Sequence, residues 1–230
     1  MDRAAAGEMV EISTTAVAAR GRFSVALSGG ETPRGLLALL ASEQYRGRIA
    51  WDRTHVFWAD ERCVPPDHKD SNYRLATELL LSKVPLPTAN IHRIHGEEPP
   101  SIAADRYQEE LASFFGDIAS TFDLIILGMG ADGHTASLFP GASTLGETKR
   151  LTVPVPPSGM GHARVTLTFP AINRARNVLF LVAGEPKAQR VREVLEGEGS
   201  GLPAGLVRPE RGSLLWCLDK GAAGMLHVKR

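Results

Sequence analysis

Four groups of polar residues follow apolar runs and have the types and spacing to do chemistry. The richest is Gly128-Met129-Gly130-Ala131-Asp132-Gly133-His134-Thr135-Ala136-Ser137-Leu138-Phe139-Pro140. An imidazole titrates near neutrality, so an oriented neutral ring can take a proton from water. A single His is more often structural. Here it lies in a glycine-rich exit from an apolar run, two residues after Asp132, which makes His134 a candidate general base. The second group, Ser28-Gly29-Gly30-Glu31-Thr32-Pro33, joins an apolar run to a helix start. Adjacent glycines let backbone N–H groups turn inward, and the helix adds the positive end of its dipole, so the junction suits phosphate. The same pattern also describes a tight turn before a capped helix. It fits neither G-x-x-x-x-G-K-[ST] nor G-x-G-x-x-G, which disfavours a nucleotide ligand.

The third group is Asp60-Glu61-Arg62. Two acids and an arginine could bind sugar hydroxyls and steady a developing negative charge; the triplet by itself reads more simply as the start of a solvated loop. The fourth is a pair of cations, Arg164 and Lys187. A lysine in the first turn of a helix opposes the helix dipole, and a bound anion at that helix end would reverse the penalty. Other groups carry less. His92-x-x-His95 lacks the surrounding Cys or carboxylates of a zinc site. Ser28 is not in a G-x-S-x-G elbow. Trp51, Trp58 and Trp216 read as core residues. No metal is expected.

These residues need a scaffold that brings distant segments together. Phe23–Leu27, His55–Ala59, Phe122–Leu127, Val178–Ala183 and Ser213–Leu218 read as strands, and Arg164–Phe169 alternates. Helical patterns begin at Pro33, with Thr32 as N-cap, span Ser71–Leu81, include Ala103 to Phe115 at 3.6-residue spacing, and begin again near Pro186 with Ala188, Val191, Val194 and Leu195. Asp60 to Asp70 reads as a polar loop, and the Pro/Gly-rich Thr152–Gly161 as another. Strand and helix in alternation predict an α/β fold with a mainly parallel sheet, helices on both faces and a small insertion. In such sheets ligands bind outside the carboxyl ends of the strands, where the polar groups fall.

The chain has 230 residues, 26 Lys+Arg against 26 Asp+Glu, and 43% hydrophobic residues. That suits one domain over residues 1–230. The balanced charge gives no reason to expect a nucleic-acid or membrane partner. Two distant cysteines, Cys63 and Cys217, argue against a disulfide framework and for a reducing cytoplasm. Met1 to Arg20 has no apolar h-region, so no secretory signal is expected.

The blocks SGGETP (Ser28–Pro33), DERCVPPDHKDSNYR (Asp60–Arg74), LGMGADGHTASLFPG (Leu127–Gly141), RVTLTFPAINRAR (Arg164–Arg176) and GEPKA (Gly184–Ala188) resemble the 6-phosphogluconolactonase family, in its order and over residues of about 20 to 220. The DGHTASLFP block is the most specific. The resemblance implies a Rossmann-like fold and hydrolysis of 6-phospho-D-glucono-1,5-lactone to 6-phospho-D-gluconate, the second step of the oxidative pentose phosphate pathway, without a cofactor. Carried over by position, it implies His134 as base with Asp132 beside it. It places phosphate on Ser28, Gly29, Gly30, Thr32, Arg164 and Lys187, and substrate contacts on Asp60 and Arg62. Arg62 would also stabilise the oxyanion. The partner is the small-molecule phosphorylated sugar lactone, handled by a monomer or weak homodimer. Family members usually carry a further strand before the first helix, near which this chain begins; that leaves the sheet edge open. The related deaminases resemble D-G-H-I-A-F-N-E-P, where a glutamate replaces Phe139, and a phenyl ring cannot relay a proton. A sugar-phosphate sensor of this fold would need the phosphate loop but not the base, and would normally carry a helix-turn-helix, for which no residues remain.

Overall fold

The computed structural model describes residues 1–116, 121–157, 161–197 and 201–227. Five strands, β1 (Phe23–Leu27), β2 (Thr54–Trp58), β4 (Leu124–Gly128), β7 (Asn177–Val182) and β8 (Ser213–Leu218), form a parallel sheet in the order β2-β1-β4-β7-β8. A short antiparallel sheet, β3 (Asp60–Arg62), β6 (Arg164–Leu167) and β5 (Thr152–Val155), has the order β3-β6-β5. The helices are α1 (Asp2–Arg20), α2 (Pro33–Leu40), α3 (Asn72–Leu79), α4 (Pro100–Phe115), α5 (Phe169–Asn173) and α6 (Ala188–Glu196).

The expected α/β fold is the one found. Every residue of β1 is buried, as are Leu124 to Leu127 and Val178 to Val182. Continuous apolar runs are what a parallel sheet covered on both faces requires. From β1 the chain moves outward to β2, then returns to the other side of β1 for β4 and continues to β7 and β8. Right-handed crossovers place connections running in these opposite directions on opposite faces. The strand order reverses between β1 and β4, the point outside which ligands of open α/β sheets sit.

Two expected loops are partly strands. Asp60–Arg62 pairs with Arg164–Thr166, and Thr152–Val155 pairs with Arg164–Leu167. The physical reason is backbone pairing, which apolar periodicity does not report: β6 has partners on both sides, so its buried N–H and C=O groups are satisfied there. Pro154 is tolerated because β5 is an edge of this small sheet. Residues 158–160 of the second expected loop lie outside the described residues. The small sheet joins the large one through Ala59, whose N–H donates to Leu27 O (2.8 Å) and whose carbonyl accepts from Leu167 N (2.7 Å).

The N-terminal segment is helical. It buries Ala5, Ala6, Met9, Ser13 and Ala16 and packs against α2, β1 and β8. It ends at Gly21, whose φ of 71° is the left-handed cap that glycine adopts without Cβ strain. Trp51 and Trp58 are core residues, while Trp216 is half-buried and stacks on Phe180 at 4.1 Å. Leu195, expected on the apolar face of α6, is exposed. Cys63 and Cys217 are both free thiols.

Candidate active site

The β1 exit is tied to its neighbour at once. Ser28 Oγ donates to Ile126 O on β4 (2.8 Å), so its hydroxyl proton is already used. The loop then turns through Gly29 and Gly30. A Cβ on Gly29 would lie 1.7 Å from Asn72 Oδ1, so only glycine lets the Asn72 amide sit against this loop. Gly30 has φ 91°, a left-handed conformation. No hydrogen bond among the described residues uses the N–H groups of Gly29, Gly30, Glu31 or Thr32. They remain available beside the N-terminus of α2. Thr32 occupies the expected N-cap position, but its backbone is helical (φ −61°, ψ −44°) and its side chain makes no cap bond. Pro33 follows in the first turn as expected, where a missing N–H costs nothing.

The exit from β4 is folded on itself. The Gly130 N–H donates to His134 O (2.8 Å) and the Gly133 N–H, at φ 85°, donates to Gly130 O (3.0 Å). Asp132 Oδ1 accepts from the His134 backbone N–H at 3.1 Å and lies 2.6 Å from His134 Nδ1. A carboxylate accepts, so the ring proton belongs on Nδ1 and Nε2 is left with a lone pair. Burial pushes the Asp132 carboxyl up, but its bonds from the His134 amide and ring outweigh this and hold it below its ordinary value. Beyond His134, Ala136 has φ 47°, the one non-glycine in the left-handed region among the described residues. Such strain persists when surroundings over-determine it. Here Thr135 Oγ1 donates to Gly128 O (2.8 Å), and the Ser137 N–H donates to Thr166 Oγ1 (3.1 Å).

The acids of β3 are committed differently from what the sequence suggested. Glu61 is buried and accepts from Ser71 Oγ (3.0 Å) and from the backbone N–H groups of Asn72, Tyr73 and Arg62 (2.8 Å each). It serves the N-terminus of α3 and is not free for sugar hydroxyls. Burial raises its pKa, against those hydrogen bonds. Asp60 accepts from Ser137 Oγ (2.6 Å) and from Asn72 Nδ2 (3.3 Å), and its Oδ2 is 3.7 Å from Arg164 Nη1. Asn72 and Ser137, both buried, are residues that sequence reasoning missed. They lie inside the DSNYR and HTASLFP blocks, but nothing local shows that they meet at Asp60.

Three cations face the cleft. Arg62 Nη1 donates to Asp70 O (2.6 Å), while its Nε is buried without a partner. Arg164 lies over the Phe139 ring at 5.7 Å. Burial lowers its pKa more than Asp60 raises it. Lys187 sits in a tight turn (Glu185–Lys187) between β7 and α6, with no carboxylate at ion-pair distance among the described residues. Burial lowers its pKa too, only partly offset by Asp219. Two cations destabilised by desolvation lie beside free amide groups, a combination whose chemistry suits an anionic ligand.

One cleft of about 240 Å³ is lined by Ser28, Gly29, Gly30, Thr32, Asp60, Arg62, His134, Arg164 and Lys187, with Asn72 and Ala136 in its wall. Asp132 stands behind His134, outside the cleft lining. The volume falls below the roughly 300–1,000 Å³ of drug-sized sites and suits a monosaccharide better than a dinucleotide. His92 and His95 are far from assembling a metal site together: His92 bonds to His55 and Glu110, and His95 to Glu97.

A parallel α/β sheet with a polar cleft and an oriented imidazole at its switch point has the architecture of an α/β enzyme. The family described as glucosamine-6-phosphate isomerases/6-phosphogluconolactonase matches residues 1–216, and the chain belongs to that family. It is 44% identical over 220 residues to the 6-phosphogluconolactonase of Synechocystis sp., covering 93% of this chain and 89% of the relative. It is 42% identical over 212 residues to the 6-phosphogluconolactonase of Rattus norvegicus, covering 91% and 82%. A crystal structure of 6-phosphogluconolactonase from Thermotoga maritima superposes with a TM-score of 0.83 at 33% identity, covering 95% of each chain.

Proposed function

We propose that the chain hydrolyses 6-phospho-D-glucono-1,5-lactone to 6-phospho-D-gluconate, with His134 as the general base. The observation that carries this reading is the 2.6 Å contact of Asp132 with His134 Nδ1, which leaves Nε2 as an acceptor at the cleft wall. The naming of the relatives agrees with it.

The lactone carbonyl is already electrophilic, so water can attack C1 directly and neither a covalent intermediate nor a metal is demanded. His134 Nε2 takes the proton from that water as the C–O bond forms. Asp132 holds the ring in the productive tautomer and stabilises the imidazolium. Negative charge develops on the former carbonyl oxygen, and Arg62 with nearby backbone N–H groups opposes it. The imidazolium then returns its proton to the ring oxygen as the tetrahedral intermediate opens, giving the carboxylic acid and a free hydroxyl. The phosphate is held by the amides of Gly29 to Thr32 and by Arg164 and Lys187. Binding energy remote from C1 thereby fixes the reacting carbon. Asp60, with its oxygens mostly engaged, acts by holding Arg164 and the Ser137 turn. Phe139, whose ring is 4.7 Å from His134, offers no proton relay for the isomerising chemistry of the deaminases.

On this reading the protein works in the cytoplasm as a monomer or weak homodimer, without nucleic-acid or membrane partners. Among the described residues no helix is long and apolar enough to cross a membrane. The deciding experiment incubates purified protein with freshly made lactone and subtracts spontaneous opening. A rate no higher than the uncatalysed one would refute the assignment.

A further inference from the structure

We propose that His68, Asp70 and His162 form a binding site for a divalent cation of the zinc class, distinct from the catalytic pair. The three residues come from two segments, 92 positions apart, that meet beside the small sheet. Asp70 Oδ2 is 3.1 Å from His162 Nε2 and 3.8 Å from His68 Nδ1. One ligand atom from each residue lies within 4.8 Å of the others, and among the described residues this is the one such cluster of three. Tetrahedral zinc with bonds of about 2.0–2.1 Å separates its ligand atoms by roughly 3.3 Å. The two Asp70 spacings straddle that value, and the third pair lies within 4.8 Å, so the ligand atoms need to close by about an ångström to meet an ion.

The chemistry of the set selects the metal. Two imidazoles and one carboxylate suit zinc, cobalt or nickel, whereas magnesium and calcium require oxygen ligands. Three protein ligands leave a fourth position for water. The side chains are 35%, 42% and 40% exposed, so an ion can reach them.

The supporting backbone is held on both sides. The His68 N–H donates to Pro65 O (3.0 Å), and His68 O accepts from Ser71 N (3.0 Å), the residue that caps α3. His162 precedes Ala163, whose carbonyl accepts from Cys63 N (2.7 Å) at the end of β3. Loading replaces two existing contacts, the Asp70 N–H to His68 Nδ1 bond (3.2 Å) and the His162–Asp70 bond. The site also touches the substrate cleft, because Asp70 O is the acceptor that holds Arg62 Nη1.

The test uses the full chain, stripped with a chelator and titrated with Co²⁺ while the visible absorption of four-coordinate cobalt is followed, with Zn²⁺ as competitor. No substrate is present, so the result stands or falls apart from the lactonase reading. One saturable equivalent per chain is expected, displaced by Zn²⁺. His162→Ala and His68→Ala, one from each segment and each verified as folded by circular dichroism, should each weaken binding at least tenfold. His134→Ala and His92→Ala should leave it intact. The proposal is overturned if no saturable binding occurs, if either folded variant keeps full affinity, or if binding is lost with His134→Ala instead.

Discussion

His134 occupies the space that a side chain on Gly130 would need: a Cβ built there would lie 2.2 Å from His134 Nδ1 and 2.6 Å from Asp132 Oδ1. The glycine four residues before the proposed base is therefore part of how its ring is aimed. Gly130→Ala should keep the fold and the affinity for 6-phosphogluconate but lower kcat, by about 10²-fold if the imidazole moves by about 1 Å. Steady-state kinetics alongside product-binding calorimetry would test this; an unchanged kcat would mean that the ring has room to move.

His134→Ala should lower kcat by on the order of 10²–10⁴, the usual share of a positioned acid/base group. Product binding should survive, since the residues proposed to hold phosphate lie elsewhere in the cleft. Rates must be corrected for spontaneous opening. A folded, fully active variant would remove His134 from the mechanism.

Lys187→Ala should raise KM for the phosphorylated lactone about 10–100-fold, the loss of one charge-assisted contact, and should barely change activity on unphosphorylated gluconolactone. Equal losses on both substrates would show that Lys187 does not grip phosphate. Removal of a desolvated cation without a carboxylate partner should also leave thermal stability unimpaired.

The His55–His92–Glu110 chain predicts a pH-dependent stability. His55 Nδ1 is 3.0 Å from His92 Nε2, and His92 Nδ1 is 2.8 Å from Glu110. Burial, then His92 and Arg22, push the His55 pKa down to about 4. An unfolded chain takes up that proton near pH 6.5, whereas the folded one resists it until about pH 4. The unfolded state therefore binds more protons in this window, and stability falls as pH drops from about 6.5 to 4. Melting curves of the wild type and His55→Gln should diverge less at pH 4.5 than at pH 7.5. A constant difference would indicate that His55 does not carry the effect.

Much was readable from residues alone. The β1, β4 and β7 runs are mostly apolar because both sheet faces are buried along them, and such a run survives any error in register, whereas β8, at the sheet edge, is only partly buried although its run is apolar too. Gly-Gly after β1 and Asp-x-His after β4 mark loop chemistry that depends on neighbours close in sequence. The Asp132–His134 contact is local, two residues apart, so its sequence spacing already implied it. The N-terminal helix was harder to read because its buried face is mostly alanine and serine, which leave little hydrophobic contrast between faces.

What sequence by itself determined was the set of strand ends and the residue types placed at them, since apolar period and glycine position are properties of a single segment. Tertiary structure alone decided how those groups are used. Glu61 belongs to α3, Asp60 to Ser137 and Arg164, the Ser28 hydroxyl to Ile126, and Asn72 to the space above Gly29. Each of these pairs joins segments from 11 to 104 residues apart, and a buried polar group takes whichever partner the packing delivers. The small sheet is of the same kind: its strands exist because β6 lies between two backbones that need hydrogen bonds, a condition met only once the chain has folded.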